Sequence, residues 1–164
     1  MSMIPTEKYT EITSVLPILC VDVVIQNTQG KYLLVKRINE PKKGRWWPVG
    51  GRVLKGETIK QAVIRKIKEE TNLNVKSVQP IGYFELMTDA NPFDLPFQYH
   101  TVSIVFVAAI EDCQKVKLDK QSAEWKYTKQ LPADFHIKPF SLQDLGTFSP
   151  NGPAMFYEGR GKEK

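Results

Sequence analysis

The stretch GRVLKGETIKQAVIRKIKEETNL, residues 51–73, decides how this chain is read. Its first third is a glycine-bearing loop, and the remainder has the periodicity of an amphipathic helix. Thr58 followed by Gln61 has the spacing of a capping box, in which each side chain satisfies a free backbone N–H at the helix start. Ile59, Ala62, Val63 and Ile67 recur at helical spacing, which predicts an apolar stripe turned to a core. Asn72 suits a left-handed stop after the last turn.

Charge gathers on the later turns. Arg65 lies one turn before Glu69 and can hold its carboxylate by a charge-assisted hydrogen bond. Glu69 and Glu70 are adjacent, so their side chains leave the helix about 100° apart. Taken alone, these residues describe a solvated helix with Lys66–Glu70 and Arg65–Glu69 ion pairs. Two neighbouring carboxylates beside a glycine-bearing loop equally suit a hard divalent cation bound through oxygen. Such a cation neutralises phosphate charge and activates water. The ordered spacing back to Glu57 and Gly51 favours the second reading.

Outward from this segment, residues 4–15 predict a short amphipathic helix with Pro5 in its first turn. Strands are expected at 16–26 and 31–36, joined by a hairpin loop at Asn27-Thr28-Gln29-Gly30. A polar loop at 39–45 then leads to Trp46-Trp47-Pro48-Val49-Gly50-Gly51. Two more strands are expected near 77–87 and 99–111, with an irregular loop at 91–98 carrying Pro92 and Pro96. A strand at 124–128 and a short helix from Leu131-Pro132 complete the series. Several strands on both sides of one strong helix argue for an α/β fold, a mixed sandwich. With no repeat or long linker, the expectation is one domain over residues 1–164, its core about 16–132 and its tail 133–164.

The net charge of +5 suits either a nucleic acid or a small phosphate-rich substrate. The lysines are dispersed, with short clusters only at Lys42-Lys43 and from Arg160 to Lys164, which favours a solvated basic surface. Cys20 and Cys113 fit no metal or redox spacing, and Cys20 lies in an apolar run as a buried free thiol would. Residues 2–11 are polar and lack a signal-peptide core, and the apolar run 102–110 is too short to span a bilayer. A cytoplasmic location without a membrane partner is therefore expected.

The spacing resembles the Nudix box: Gly, five residues, Glu, seven residues, Arg-Glu-hydrophobic, one residue, Glu-Glu, one residue, Gly and hydrophobic. This chain supplies Gly51, Glu57, Arg65, Ile67, Glu69, Glu70 and Leu73. Trp46 before the Pro48-to-Gly51 turn, and Trp125 before Leu131-Pro132, are similar to flanking features of that family. The resemblance spans about residues 16–131. It implies an α/β/α sandwich around a central mixed β-sheet, and hydrolysis of a nucleoside diphosphate linked to another group. It also implies dependence on magnesium, or manganese, held by Glu57, Glu69 and Glu70, with Arg65 supporting Glu69. A homodimer is common among similar proteins and is expected here. Lys66 and Asn72 depart from the box. The asparagine is a mild change because it tolerates the left-handed conformation. The lysine removes a glutamate that acts as general base in some members, so a base must come from elsewhere.

The GDP-mannose mannosyl hydrolases are a branch that tolerates this loss, and they attack the sugar carbon rather than phosphorus. Residues 19–24, 27–37, 44–46 and 50–53 are similar to that branch. By this resemblance Asp22 and Arg37 bind the nucleotide, Arg52 neutralises the leaving diphosphate, and Gln121 joins the Gly50 carbonyl and Glu70 at the metal. Phe84, Phe93 and Phe97 suit the mouth of a nucleotide pocket. The branch's catalytic histidine is replaced by Ser122, and the chain has only His100 and His136. Glu85, Asp89, Asp119 and Glu124 are the substitute bases on offer. The sequence thus implies hydrolysis of a sugar nucleotide such as GDP-mannose, with ADP-ribose or another nucleoside di- or triphosphate as the alternative. A non-catalytic Nudix-fold nucleotide-binding module is a second class, supported by Lys66. Nucleic-acid binding through Trp46, Trp47, the Phe cluster and Tyr99 is a third.

Overall fold

The structure is a computed structural model that describes residues 4–40, 42–90, 95–111 and 114–131, together with the backbone of 157–162. We label the helices α1 (Thr6–Val15) and α2 (Ile59–Thr71). Thr58 caps α2 in the predicted manner: its hydroxyl accepts from the Gln61 N–H, and its own N–H donates to Gln61 Oε1. Asn72 closes the helix at φ 58°, in the left-handed region. Ala62, Val63 and Ile67 are fully buried, whereas Ile59 in the first turn is 37% exposed. The buried face therefore starts one turn later than the apolar stripe suggests. It also takes in Lys66, Glu70 and Thr71, which a hydrophobic pattern cannot place. Replacing Ile67 by alanine is expected to cost about 2–5 kcal/mol of stability by leaving a cavity. The shift of the urea unfolding midpoint measures it.

The strands are β1 (Ile18–Gln26), β2 (Tyr32–Arg37), β3 (Trp46–Trp47), β4 (Val49–Arg52), β5 (Val75–Thr88), β6 (Tyr99–Ile110), β7 (Ser122–Thr128) and β8 (Tyr157–Lys162). They form one mixed sheet in the order β3-β2-β1-β6-β5-β8, with β4 also paired to β1 and β7 to β2. β1 and β6 run parallel, as do β5 and β8; the other pairings are antiparallel. Along one edge β1 is shared between two partners. Cys20 to Val23 pair with β4, and Ile25 and Gln26 pair with β2. The sheet forks there.

Side chains alternate across the sheet. Val21, Val23 and Ile25 join Val63 and Ile67 in a core between α2 and the sheet. Val24, Leu34, Phe84 and Val105 build a second core on the other face. A mixed sheet with flanking helices is the α/β class the sequence implied. Two parts of the sheet were not expected. Residues 46–51, for which no element was read from the sequence, form two short strands on either side of Pro48, because their backbones pair with β2 and β1. The tail, for which no element was expected, contributes β8 at the sheet edge. The helix expected from Leu131-Pro132, residues 91–94 of the expected loop, Cys113 and His136 lie outside the described residues. No described helix is long and apolar enough to cross a membrane.

Candidate active site

Arg65 ties the loop ahead of α2 to the helix itself. Its Nε donates to Glu57 Oε2 at 2.9 Å and its Nη2 to Glu57 Oε1 at 2.5 Å. Nη2 also donates to the Arg52 carbonyl at 3.0 Å, and Nη1 to Glu69 Oε2 at 3.1 Å. The Leu54 N–H adds a further hydrogen bond to Glu57 Oε1, 2.7 Å long. The guanidinium, with the Leu54 N–H behind it, holds the Glu57 carboxyl below the usual carboxylate range. Glu57 thus anchors the loop, and Arg65 aims Glu69.

On the next helical face Lys66 Nζ lies 2.6 Å from Glu70 Oε1 and 3.5 Å from Glu69 Oε2. The sequence allowed for this pair on a solvated helix, but Lys66 and Glu70 are both buried. Burial pushes the Glu70 carboxyl up, and the Lys66 ammonium opposes that push. Asp119 stands nearby and adds to the upward push; its N–H bonds to the Glu70 carbonyl at 3.4 Å. Of the substitute bases the sequence offered, Asp119 is brought beside α2, whereas Glu124 pairs with Lys36 at 2.8 Å.

A cleft of about 800 Å³ opens on the other face of the sheet, at the fork of β1. Asp22, Arg37, Arg52, Gly50, Phe84 and Gln121 all line it, so the fold brings these residues together from distant parts of the sequence. Asp22 is buried from β1, and burial raises its carboxyl to about 6. A hydrogen bond from Ser103 and the charge of Arg37 hold that rise back. A Cβ at Gly50 would run into Asp22 Oδ1 and the Val21 carbonyl oxygen, so only glycine lets β4 come this close to β1. Phe84 is buried with one side on the cleft. Cys20 is a buried free thiol, as expected, and desolvation pushes it up to about 12, which makes it inert.

Two participants escaped the sequence reading. The Arg52 guanidinium stacks on the Tyr9 ring from α1, 4.7 Å from its centroid. Tyr9 Oη in turn bonds Tyr99 Oη at 2.9 Å. Nothing local marks an aromatic residue in a short helix for this task. The other is the place of Lys66: the sequence offered its pairing with Glu70, but not that it lines the cleft where Glu69 and Glu70 do not. As for the aromatics weighed for base stacking, the ring of Trp46 carries Lys126 at 4.1 Å and that of Trp47 carries Lys42 at 5.8 Å.

The model of the NUDIX domain matches residues 16–141, which spans the clamp, the carboxylates and the cleft lining apart from Tyr9. The chain belongs to the Nudix family. It is a hydrolase of that family, and such enzymes generally use divalent metal ions. It is 31% identical over 123 residues to the low-salt glycan biosynthesis protein Agl8 of Haloferax volcanii, covering 75% of this chain and 78% of that one. It is 37% identical over 117 residues to an ADP-ribose pyrophosphatase of Methanocaldococcus jannaschii, covering 71% of this chain and 65% of the relative. A solved MutT protein from Methanosarcina mazei Go1 superposes with a TM-score of 0.55 at 26% identity, over 68% of this chain and 77% of that one.

The Nudix site asks for hard oxygen donors around a cation. Among the described residues no group of three or more His, Cys, Asp or Glu side chains converges on one point. Arg65 has drawn Glu57 aside. Glu69 and Glu70 do converge on a cation, the Lys66 ammonium. Two carboxylates that already converge on one cation are the hard oxygen donors that the described residues offer a divalent ion here.

Proposed function

We propose that this Nudix hydrolase cleaves a nucleoside diphosphate joined to a sugar, with magnesium as the working ion. One observation carries the reading: Arg37 and Arg52 line the same cleft as the buried carboxylate Asp22, beside the Glu69–Glu70 pair. Two guanidiniums suit a diphosphate, because each can grip phosphate oxygens through two donors. The names of the relatives support the class, since one acts on ADP-ribose and another serves glycan biosynthesis.

In this proposal Glu69 and Glu70, with the Gly50 carbonyl and Gln121, would hold the divalent ion. When bound, that ion neutralises the diphosphate and lowers the pKa of water. Arg52, held by Tyr9, and Arg37 absorb charge that develops on the phosphate oxygens. Arg65 keeps Glu69 in place while Glu57 holds Arg65. Phe84 offers an apolar wall to the base or sugar. Asp22 is poised to accept a proton near neutral pH, which supplies the base that Lys66 and Ser122 do not. The homodimer and the cytoplasmic location belong to the same proposal, the second supported by the buried free thiol, which a reducing compartment preserves.

The test is product analysis with GDP-mannose and ADP-ribose, each with and without magnesium. A nucleoside diphosphate plus free sugar means attack at the sugar carbon. A nucleoside monophosphate plus sugar phosphate means attack at phosphorus. No magnesium-dependent product from either substrate sinks the proposal.

A further inference from the structure

We infer that Lys66 is a tethered cation that competes with a divalent metal ion for the Glu69–Glu70 pair, so that metal binding requires its ammonium to be displaced. This rests on the metal site proposed above.

Three observations support it. First, Lys66 Nζ sits against both carboxylates, 2.6 Å from Glu70 Oε1 and 3.5 Å from Glu69 Oε2, which is where a shared cation belongs. Second, the Lys66 and Glu70 side chains are only 10% and 9% exposed. A surface ion pair contributes little and is readily screened. A desolvated pair is different: removing the cation leaves Glu70 as an uncompensated buried charge. Third, the backbone makes room for the lysine. Gly51 has φ +149°, and a Cβ there would meet Lys66 Cε at 2.9 Å. Gly51 thus leaves open the groove in which the lysine stem lies.

Competition follows from charge and connectivity. Being attached to the same helix, the ammonium is always present at high effective concentration. A divalent ion has twice its charge but must displace it and lose its own hydration. Lys66 lines the cleft, Glu69 is half exposed and Glu70 is buried, so an ion that reaches Glu69 must still displace the ammonium before it can share Glu70.

The experiment titrates Mn²⁺ into the full chain, reading bound ion from the loss of the free Mn²⁺ electron paramagnetic resonance signal. Wild type is compared with Lys66→Met, Lys66→Gln, Glu70→Gln and Lys66→Met/Glu70→Gln. Lys66→Met is expected to bind Mn²⁺ about tenfold tighter or more than wild type, and the double variant is expected to lose that gain. Added Mn²⁺ should also raise the unfolding temperature of Lys66→Met more than that of wild type, because the ion binds only the native state. If Lys66→Met does not fold, Lys66→Gln carries the comparison, since it keeps a hydrogen-bond donor for Glu70 without the charge. Equal affinities in wild type and the lysine variants, with Glu70→Gln weakening binding, would overturn the competition and leave the metal site standing. Absence of Mn²⁺ binding throughout, or indifference to Glu70→Gln, would remove both.

Discussion

Arg65→Ala is expected to lower turnover about 10- to 100-fold and to cost about 2–4 kcal/mol of stability. One guanidinium holds Glu57, Glu69 and the Arg52 carbonyl, so its loss unties the loop, a carboxylate and the strand that presents Arg52. Glu57, with its side chain 15% exposed, would then keep only the Leu54 N–H of the partners described above. Arg65→Lys is expected to recover little, because an ammonium cannot span Glu57 with a planar two-donor fork. The pH response gives a second readout. The Glu57 carboxyl is held below its ordinary range, so its contribution is present above that range and is lost as the pH falls through the depressed value. Arg65→Ala should lack this acid-sensitive component. Steady-state kinetics with magnesium and urea unfolding test both claims, and a variant with turnover within twofold of wild type would end the positioning role.

Asp22→Asn is expected to make the protein more stable and the enzyme worse. Burial raises Asp22 from an ordinary value of 3.8 to about 6. Between those values the native state holds a proton that the unfolded chain releases, so stability falls as the pH rises through this window and then levels off. The accumulated penalty is about 3 kcal/mol at pH 8. Asparagine avoids it and can still accept a hydrogen bond from Ser103. The variant should therefore gain up to about 3 kcal/mol at pH 8, with the gap closing near pH 4. If Asp22 accepts the proton, turnover should fall about 100-fold or more. Denaturant unfolding at the two pH values measures the first effect; a variant no more stable than wild type at pH 8 would refute the burial cost.

Local chemistry made part of this molecule legible. The capping box at Thr58 and Gln61 and the stop at Asn72 depend on a few neighbouring residues, and both formed as read. The clamp between Arg65 and Glu69 follows from one helical turn. Lys66 was harder to place, because lysine is rarely buried and its environment depends on Gly51 and on an unusual close approach of the loop. Strand β4 has two glycines in four residues and no alternating pattern, so only its pairing with β1 reveals it. Tyr9 meets Arg52 and Tyr99 across the sequence, and no periodicity encodes such a meeting.

The parallel register of β1 with β6 has a consequence for how the enzyme comes into being. Asp22 stands on β1 and Ser103 on β6, in strands aligned from Ile18↔Thr101 to Gln26↔Ala109. The two strands are separated by about eighty residues of chain, and contacts between such distant segments form late because a long loop must first be closed. During synthesis the carboxylate is exposed well before its hydroxyl partner has been made. A truncated product ending before β6 would keep the whole of α2 with its two carboxylates and still lack a floor to its cleft. Competence for the reaction is thus acquired late, and a piece of the chain that ends before β6 does not inherit it.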